Sequence, residues 1–266
     1  MTKKPSSPTQ TPPPTSPESP AEGPVRVQKL LAVWGIASRR TIETWITAGK
    51  IAVNGEVLRE QGCKVDPLKD VITVDGKVIT PPLTETPVVQ VLNKPYGILT
   101  SLGDPFGRET IKDFLPATPR LYPVGRLDGD STGLLLVTNH GELANRLMHP
   151  RHKVEKEYLV TLQEAILTPE ELRRFAEGLL LNTTFTAPCR IEEIGPLRYR
   201  VVLKEGRNRQ IRRMFALLGH DVARLHRVRV GPITLGDLPF GKLRPVTPLE
   251  YRDLLELTGL EPGQKL

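Results

Sequence analysis

Residues 125–139 read Gly125-Arg126-Leu127-Asp128-Gly129-Asp130-Ser131-Thr132-Gly133-Leu134-Leu135-Leu136-Val137-Thr138-Asn139, a glycine-rich acidic turn running straight into an apolar strand. A short apolar run bounded by turn residues reads as a buried strand. The turn before it can hold a carboxylate rigidly while the head faces a cleft, and Arg126 beside it would favour the ionised, nucleophilic form. A plainer reading competes, in which Asp and Ser only hydrogen-bond their own backbone. On the residues alone Asp128 and Asp130 are equal candidates.

Two stretches further along add chemistry. Lys156-Glu157-Tyr158-Leu159-Val160 alternates like a strand, with Tyr158 on the face of Lys156 and Val160. A lone tyrosine there packs in a core or stacks on a flipped-out base. Lys204-Glu205-Gly206-Arg207-Asn208-Arg209-Gln210-Ile211-Arg212-Arg213 sets five cations against one carboxylate in ten residues. It reads as strand, glycine turn and helix, with Ile211, Met214, Phe215 and Leu218 as the apolar face. Arg209 and Arg212 cannot then point the same way to solvent, so one reaches inward to a carboxylate in a bidentate pair. The other cations contact phosphate, or simply form a solvated basic helix.

Towards the N-terminus the pattern changes twice. Residues 1–24 are dominated by Pro, Ser and Thr and read as a disordered tail. From Val25 a compact module begins. Val27, Leu30, Leu31 and Trp34 repeat at helical spacing before Gly35, and Ser38 caps a second helix with Ile42, Trp45 and Ile46 as its apolar face. Asn54-Gly55 and Asp75-Gly76 are hairpin turns. The basic side chains Lys29, Arg39, Arg40, Lys50 and Lys64 gather in this module, and Arg39 and Arg40 fall in a helix first turn that already favours an anion. Residues 81–87 read as a proline-marked linker, residues 88–252 as a second domain, and 253–266 as a C-terminal tail.

Composition limits the function classes. The 266-residue chain is 38% hydrophobic and 25% charged, with a net charge of +7, which suits a soluble protein with a polyanionic partner. No apolar run approaches the roughly 20 residues of a membrane helix. The two cysteines, Cys63 and Cys189, lie far apart, which argues against a disulfide framework or a cysteine zinc site and for a reducing cytoplasm. His149, His152, His220 and His226 lack the spacing of a helical zinc pair and read as surface or phosphate-contacting residues, so no catalytic metal is expected.

QKLLAVWGIASRR and the following AGKIAVNG resemble the αL RNA-binding domain over residues 25–80. GRLDGDSTGLLLVTN, KVEKEYLV and EGRNRQIRRM resemble the three signature segments of the RsuA/RluB branch of pseudouridine synthases. NKPYGILTS, HGELANRLMHP and GPITLGDLPFGKLRPVT match in order, and the tail leans towards the large-subunit, RluB-like members. That resemblance implies an α+β fold, a small αL module followed by a catalytic domain with a mixed, largely antiparallel sheet. Strands are expected near residues 88–93, 134–138, 156–162 and 199–204. It also implies that Asp128 is the nucleophile, Tyr158 the active-site tyrosine, and Arg212 the cation paired with the carboxylate.

The implied reaction is an isomerisation of uridine in ribosomal RNA, free or in a precursor particle, in the bacterial cytoplasm. It needs no cofactor, and a monomer is the default. Lys94, Arg126, Lys156, Arg207, Arg209 and Arg213 are the expected phosphate contacts of the catalytic domain. Three rivals stay open: a non-catalytic RNA-binding assembly factor, an RNA hydrolase using Asp128 and Asp130 as a pair or as metal ligands, and a synthase acting on small-subunit rRNA.

Overall fold

The computed structural model describes residues 23–80 and 86–261. The expected disordered tail lies almost wholly outside the described residues, as do most of the linker and the last residues of the chain. Described residues fall into two compact units, essentially before and after the gap at 81–85.

In the smaller unit, α1 (Val27–Val33) and α2 (Arg39–Thr47) bury Val27, Leu30, Leu31, Ile42 and Ile46. Ser38 caps α2 by accepting the Thr41 amide at 3.0 Å. Strands Ile51–Val53, Glu56–Val57, Ile72–Val74 and Lys77–Val78 form a four-stranded antiparallel sheet. Its two tight turns place Asn54-Gly55 and Asp75-Gly76 at positive φ, the left-handed pair that matches strand twist.

The larger unit is built on one sheet. Its main strands are β1 (Val89–Lys94), β2 (Thr132–Thr138), β3 (Lys156–Leu162), β4 (Arg190–Gly195), β5 (Arg198–Leu203), β6 (Val222–Val230) and β7 (Leu243–Pro245). They lie in the order β4-β5-β3-β6-β2-β1-β7. Every pairing along this path is antiparallel except β6 with β2. The sheet is therefore mixed and largely antiparallel.

Helices cover both faces of the sheet. On one, Leu135 and Val137 of β2 join Tyr158, Val160, Tyr199 and Val201 against Phe175 of α4 (Pro169–Glu177) and Met214 and Phe215 of α5 (Gln210–Leu217). On the other, Leu134 and Leu136 meet Leu143, Ala144 and Leu147 of α3 (Gly141–Met148) and Leu254 and Leu255 of α6 (Pro248–Thr258). The continuous apolar run of β2 is thus buried on both sides.

α6 corrects the expected boundary at 252. The chain beyond it continues as helix to Thr258, because Thr247 and Glu250 form a capping box around Pro248 and Leu254 and Leu255 complete a core. Among the described residues no helix is long and apolar enough to cross a membrane.

Candidate active site

The acidic turn leads into β2 and is fastened on one side by the loop after β1. Gly97 N–H donates to the Gly129 carbonyl at 2.8 Å, and the Thr100 hydroxyl donates to the Leu127 carbonyl at 2.6 Å. Ser131 N–H closes the turn onto the Asp128 carbonyl at 3.0 Å. A cleft of about 650 Å³ opens beside it, with Asp128, Arg126, Lys156, Tyr158, Arg209 and Arg227 in its lining.

The two turn carboxylates have different surroundings. Asp130 is clamped, accepting two hydrogen bonds from Arg209 at 3.1 and 2.9 Å, with Arg212 Nε 3.2 Å away. Burial pushes its carboxyl up, but the Arg209 hydrogen bond and the charges of Arg212 and Arg209 outweigh this and hold it below the usual range. Among the described residues the Asp128 carboxylate accepts no hydrogen bond. The cation within ion-pair range is Arg209, at 4.0 Å, and the Asp128 side chain is 37% exposed.

The expected pair of Arg212 with Asp128 is therefore replaced by a pair with Asp130. Arg212 also donates to the Val222 and Asp130 carbonyls, each at 2.7 Å, so its fork is fixed behind the turn. Arg209 supplies the cation next to Asp128 because it sits at φ 50°, in the left-handed region, as the residue before α5. That conformation, rare for a residue with a side chain, turns its guanidinium back over the acidic turn. Arg126, expected to support Asp128, is exposed and has no protein partner among the described residues.

Asp130→Asn is expected to lower turnover roughly thirtyfold, and stability by about 2 kcal/mol, because it strips the counter-charge from two arginines. Single-turnover rates and urea melts measure the two effects, and KM should move little.

Tyr158 lies in β3 with only 9% of its surface exposed, and it lines the same cleft. Its hydroxyl has no hydrogen-bond partner among the described residues. Asp128 and Tyr158 are thus brought to one cleft, while Arg212 stands behind Asp130.

The expected phosphate contacts divide. In the smaller unit Lys29, Arg39, Arg40 and Lys64 are exposed, and Lys50 pairs with Asp75 at 3.5 Å. In the larger unit Arg126 is free at the cleft. Arg213 donates to Asn182 at 2.6 Å, and Arg209 serves Asp130. Arg207 is committed to protein: it reaches Glu205 at 3.3 Å, Thr184 Oγ1 at 2.9 Å and the Phe185 carbonyl, tying the turn before α5 to the hairpin at 180–185.

Lys94 corrects an expected phosphate contact. It is fully buried, donating to the Pro95 and Ile98 carbonyls at 2.8 and 2.7 Å, and cannot touch a phosphate. Burial pushes its ammonium down to about 8, opposed by the charges of Asp128 and Asp130. Lys94→Gln should leave the salt dependence of RNA binding unchanged while lowering turnover, since it loosens the loop that holds Gly129. Arg126→Gln should reduce the salt slope by about 0.7 to 0.9, one phosphate contact. Filter binding across a salt series separates the two.

His220 also departs from expectation, being buried and 3.4 Å from Glu171. Among the described residues no group of three or more His, Cys, Asp or Glu side chains is placed to hold a metal ion. Arg227, 4% exposed and facing the cleft, was not singled out by the sequence, where it is one of several arginines in an alternating strand.

Comparison with known proteins identifies the family. Residues 88–217 match the family model described as RNA pseudouridylate synthase, and residues 25–72 match the S4 domain. An uncharacterized RNA pseudouridine synthase of Aquifex aeolicus is 41% identical, covering 89% of this chain and 96% of the relative. Ribosomal large subunit pseudouridine synthase B of Bacillus subtilis is 40% identical over 87% of this chain and 96% of its own length. The dual-specificity RNA pseudouridine synthase RluF of Escherichia coli is 39% identical over 88% and 79%. A solved pseudouridylate synthase superposes with a TM-score of 0.64 at 32% identity, covering 86% of this chain and 99% of that one.

Proposed function

Because the chain belongs to the RNA pseudouridylate synthase family, in its RsuA-type form with an N-terminal S4 domain, we propose that it converts one uridine of large-subunit ribosomal RNA to pseudouridine with Asp128 as the reacting carboxylate. The observation that carries the choice of Asp128 is the contrast within the turn. Asp130 is spent on two arginines, whereas Asp128 stands in the cleft with no hydrogen bond. A nucleophile or base needs its lone pairs free and its position fixed, and the loop contacts at Gly129 and Leu127 supply the second condition.

The target uridine leaves its stack, at a cost of a few kcal/mol, and enters the cleft. Tyr158 lies against the uracil ring. Asp128 meets the sugar, either attacking C1′ or taking a sugar proton. Both routes break the N1–C1′ bond, the base turns, and C5 joins C1′ as Asp128 leaves C1′ or returns the sugar proton; C5 then loses its proton and N1 gains one. The reaction consumes no nucleotide, redox group or water, so one carboxylate suffices where a glycosidase uses two. Arg126 at the open rim meets backbone phosphate. The S4 module, with Lys29, Arg39, Arg40 and Lys50 on its surface, grips neighbouring RNA structure, in keeping with recognition by shape and unpaired loops. The enzyme would work as a monomer in the cytoplasm.

The test is tritium release from rRNA labelled at uridine C5, with chelator present and the RNA kept folded by monovalent salt. The account expects release from large-subunit rRNA and none from small-subunit rRNA. Release only from small-subunit rRNA would move the target. Tight binding without release would favour an assembly factor, and chain cleavage would favour a hydrolase.

A further inference from the structure

Two cations on the cleft wall have no counter-charge. Arg227 of β6 is 4% exposed and makes one hydrogen bond, from Nε to the Leu134 carbonyl at 2.7 Å. Among the described residues Lys156 of β3 donates only to the Val154 carbonyl, at 3.1 Å. Among the described residues neither has a carboxylate within ion-pair distance. Their outer neighbours differ: Arg229, two residues on from Arg227, pairs with Glu157 at 2.9 Å and Glu155 at 3.2 Å.

A β-bulge makes the difference. Between β3 and β6, Glu157 pairs with Arg229 and Tyr158 with Arg227, so one step on β3 spans two on β6. Residues two apart on a regular strand share a face, and the bulge breaks that rule. It sends Arg229 to the glutamates with Glu157 and leaves Arg227 beside Tyr158, its guanidinium carbon 6.0 Å from the ring centre. Lys156 lines the same cleft and feels Arg227, whose charge adds to burial in pushing its ammonium down to about 8.

Burying cations without partners is costly unless an anion arrives to meet them. Backbone phosphates reach the rim, where the exposed Arg126 stands. Buried Arg227 and half-buried Lys156 line the cleft wall with the tyrosine against which the base lies. We infer that Arg227 and Lys156 form a cationic site for the uracil as it becomes an anion on cleavage of the N1–C1′ bond. This rests on the proposed synthase reading.

The electron balance explains the need. When N1–C1′ breaks, its electron pair stays on the base, giving uracilate with charge spread over N1, O2 and O4. This holds whether Asp128 has bonded to C1′ or has removed a sugar proton. The charge disappears again when C5 donates a pair to C1′, as Asp128 leaves C1′ or returns the sugar proton; C5 then gives its proton to solvent or a base and N1 takes one up. Cations aimed at charge that exists only during reaction stabilise the transition state more than the ground state. Arg227 and Lys156 are therefore further catalytic residues.

The test uses the full-length protein and single-turnover kinetics on two RNAs, one with uridine and one with 5-fluorouridine at the target. Fluorine makes uracil a better anion, so its departure needs less help. Arg227→Met and Lys156→Met should each slow uridine conversion by about a hundredfold with RNA affinity nearly unchanged. On 5-fluorouridine, followed by its disappearance from the RNA, the deficit should shrink to about tenfold, and Arg227→Lys should recover part of the uridine rate. Lys156→Met, at a less buried position, keeps the test decisive if Arg227→Met does not fold. An equal deficit on both RNAs, or a loss confined to RNA affinity, overturns the inference. In the same assay, an inactive wild-type protein would instead overturn the synthase reading itself.

Discussion

Asp128→Asn is expected to lower the single-turnover rate of pseudouridine formation by about a thousandfold or more, with RNA affinity changing less than about threefold. The amide is the same size, so the turn keeps its shape. Its fastenings run through the backbone of Leu127, Asp128 and Gly129 rather than through the carboxylate. What is lost is the lone pair that bonds to C1′ or accepts a sugar proton. Arg209 stays on Asp130, 2.9 Å away, so no cation is newly stranded. The contrast with Asp130→Asn is the informative part. There the reacting carboxylate remains while its supporting arginines lose their anchor, and the loss is far smaller. A variant at position 128 that kept a tenth of wild-type activity would move the chemistry to another group.

The second large effect concerns stability. Gly133 pairs with Arg227 across the parallel β2–β6 contact and adopts φ 103°, a conformation open to glycine and strained for other residues. A Cβ placed there would collide with the Arg227 carbonyl oxygen and lie 2.8 Å from its amide nitrogen. Since backbone cannot rotate away as a side-chain tip can, Gly133→Ala should destabilise the larger unit by about 4 kcal/mol. Thermal unfolding followed by circular dichroism should show a fall of about 10 °C. Activity should fall further than stability, because β2 carries the Asp128 turn and β6 carries Arg227. A change under about 1 kcal/mol would mean that the two strands separate without strain.

Much of this arrangement was legible before any coordinates. The apolar run at Leu134–Val137 announced a buried strand, and Lys156–Leu162 alternates along the whole of β3. Asn54-Gly55 and Asp75-Gly76 encode their turns in backbone preference, a local property that sequence reports well. The placement of Asp128 and Tyr158 in one cleft followed from the resemblance of three segments, since spacing alone left Asp128 and Asp130 equal.

What stayed hidden depends on geometry between distant segments. Helical spacing says that Arg209 and Arg212 diverge, but only the left-handed backbone at Arg209 decides that both serve Asp130. Lys94 ends a strand whose last four residues are all buried, so its charge turns inward to two carbonyls rather than outward to phosphate. The HRVRV segment looks like two arginines on one face, and the bulge opposite Glu157 and Tyr158 separates them. The expected boundary at 252 cuts through α6: its capping box, Thr247-Pro248-Leu249-Glu250, lies inside the expected domain, and the helix it starts runs on into the expected tail.

The most direct test of the central claim is position-by-position mapping of pseudouridine in large- and small-subunit rRNA from a strain lacking this protein, complemented with wild type or with Asp128→Asn. The account predicts one large-subunit uridine that is modified with wild type, unmodified in the deletion strain, and unmodified with the variant expressed at the same level. Full modification by Asp128→Asn, or no position that responds to the wild-type protein, would contradict it.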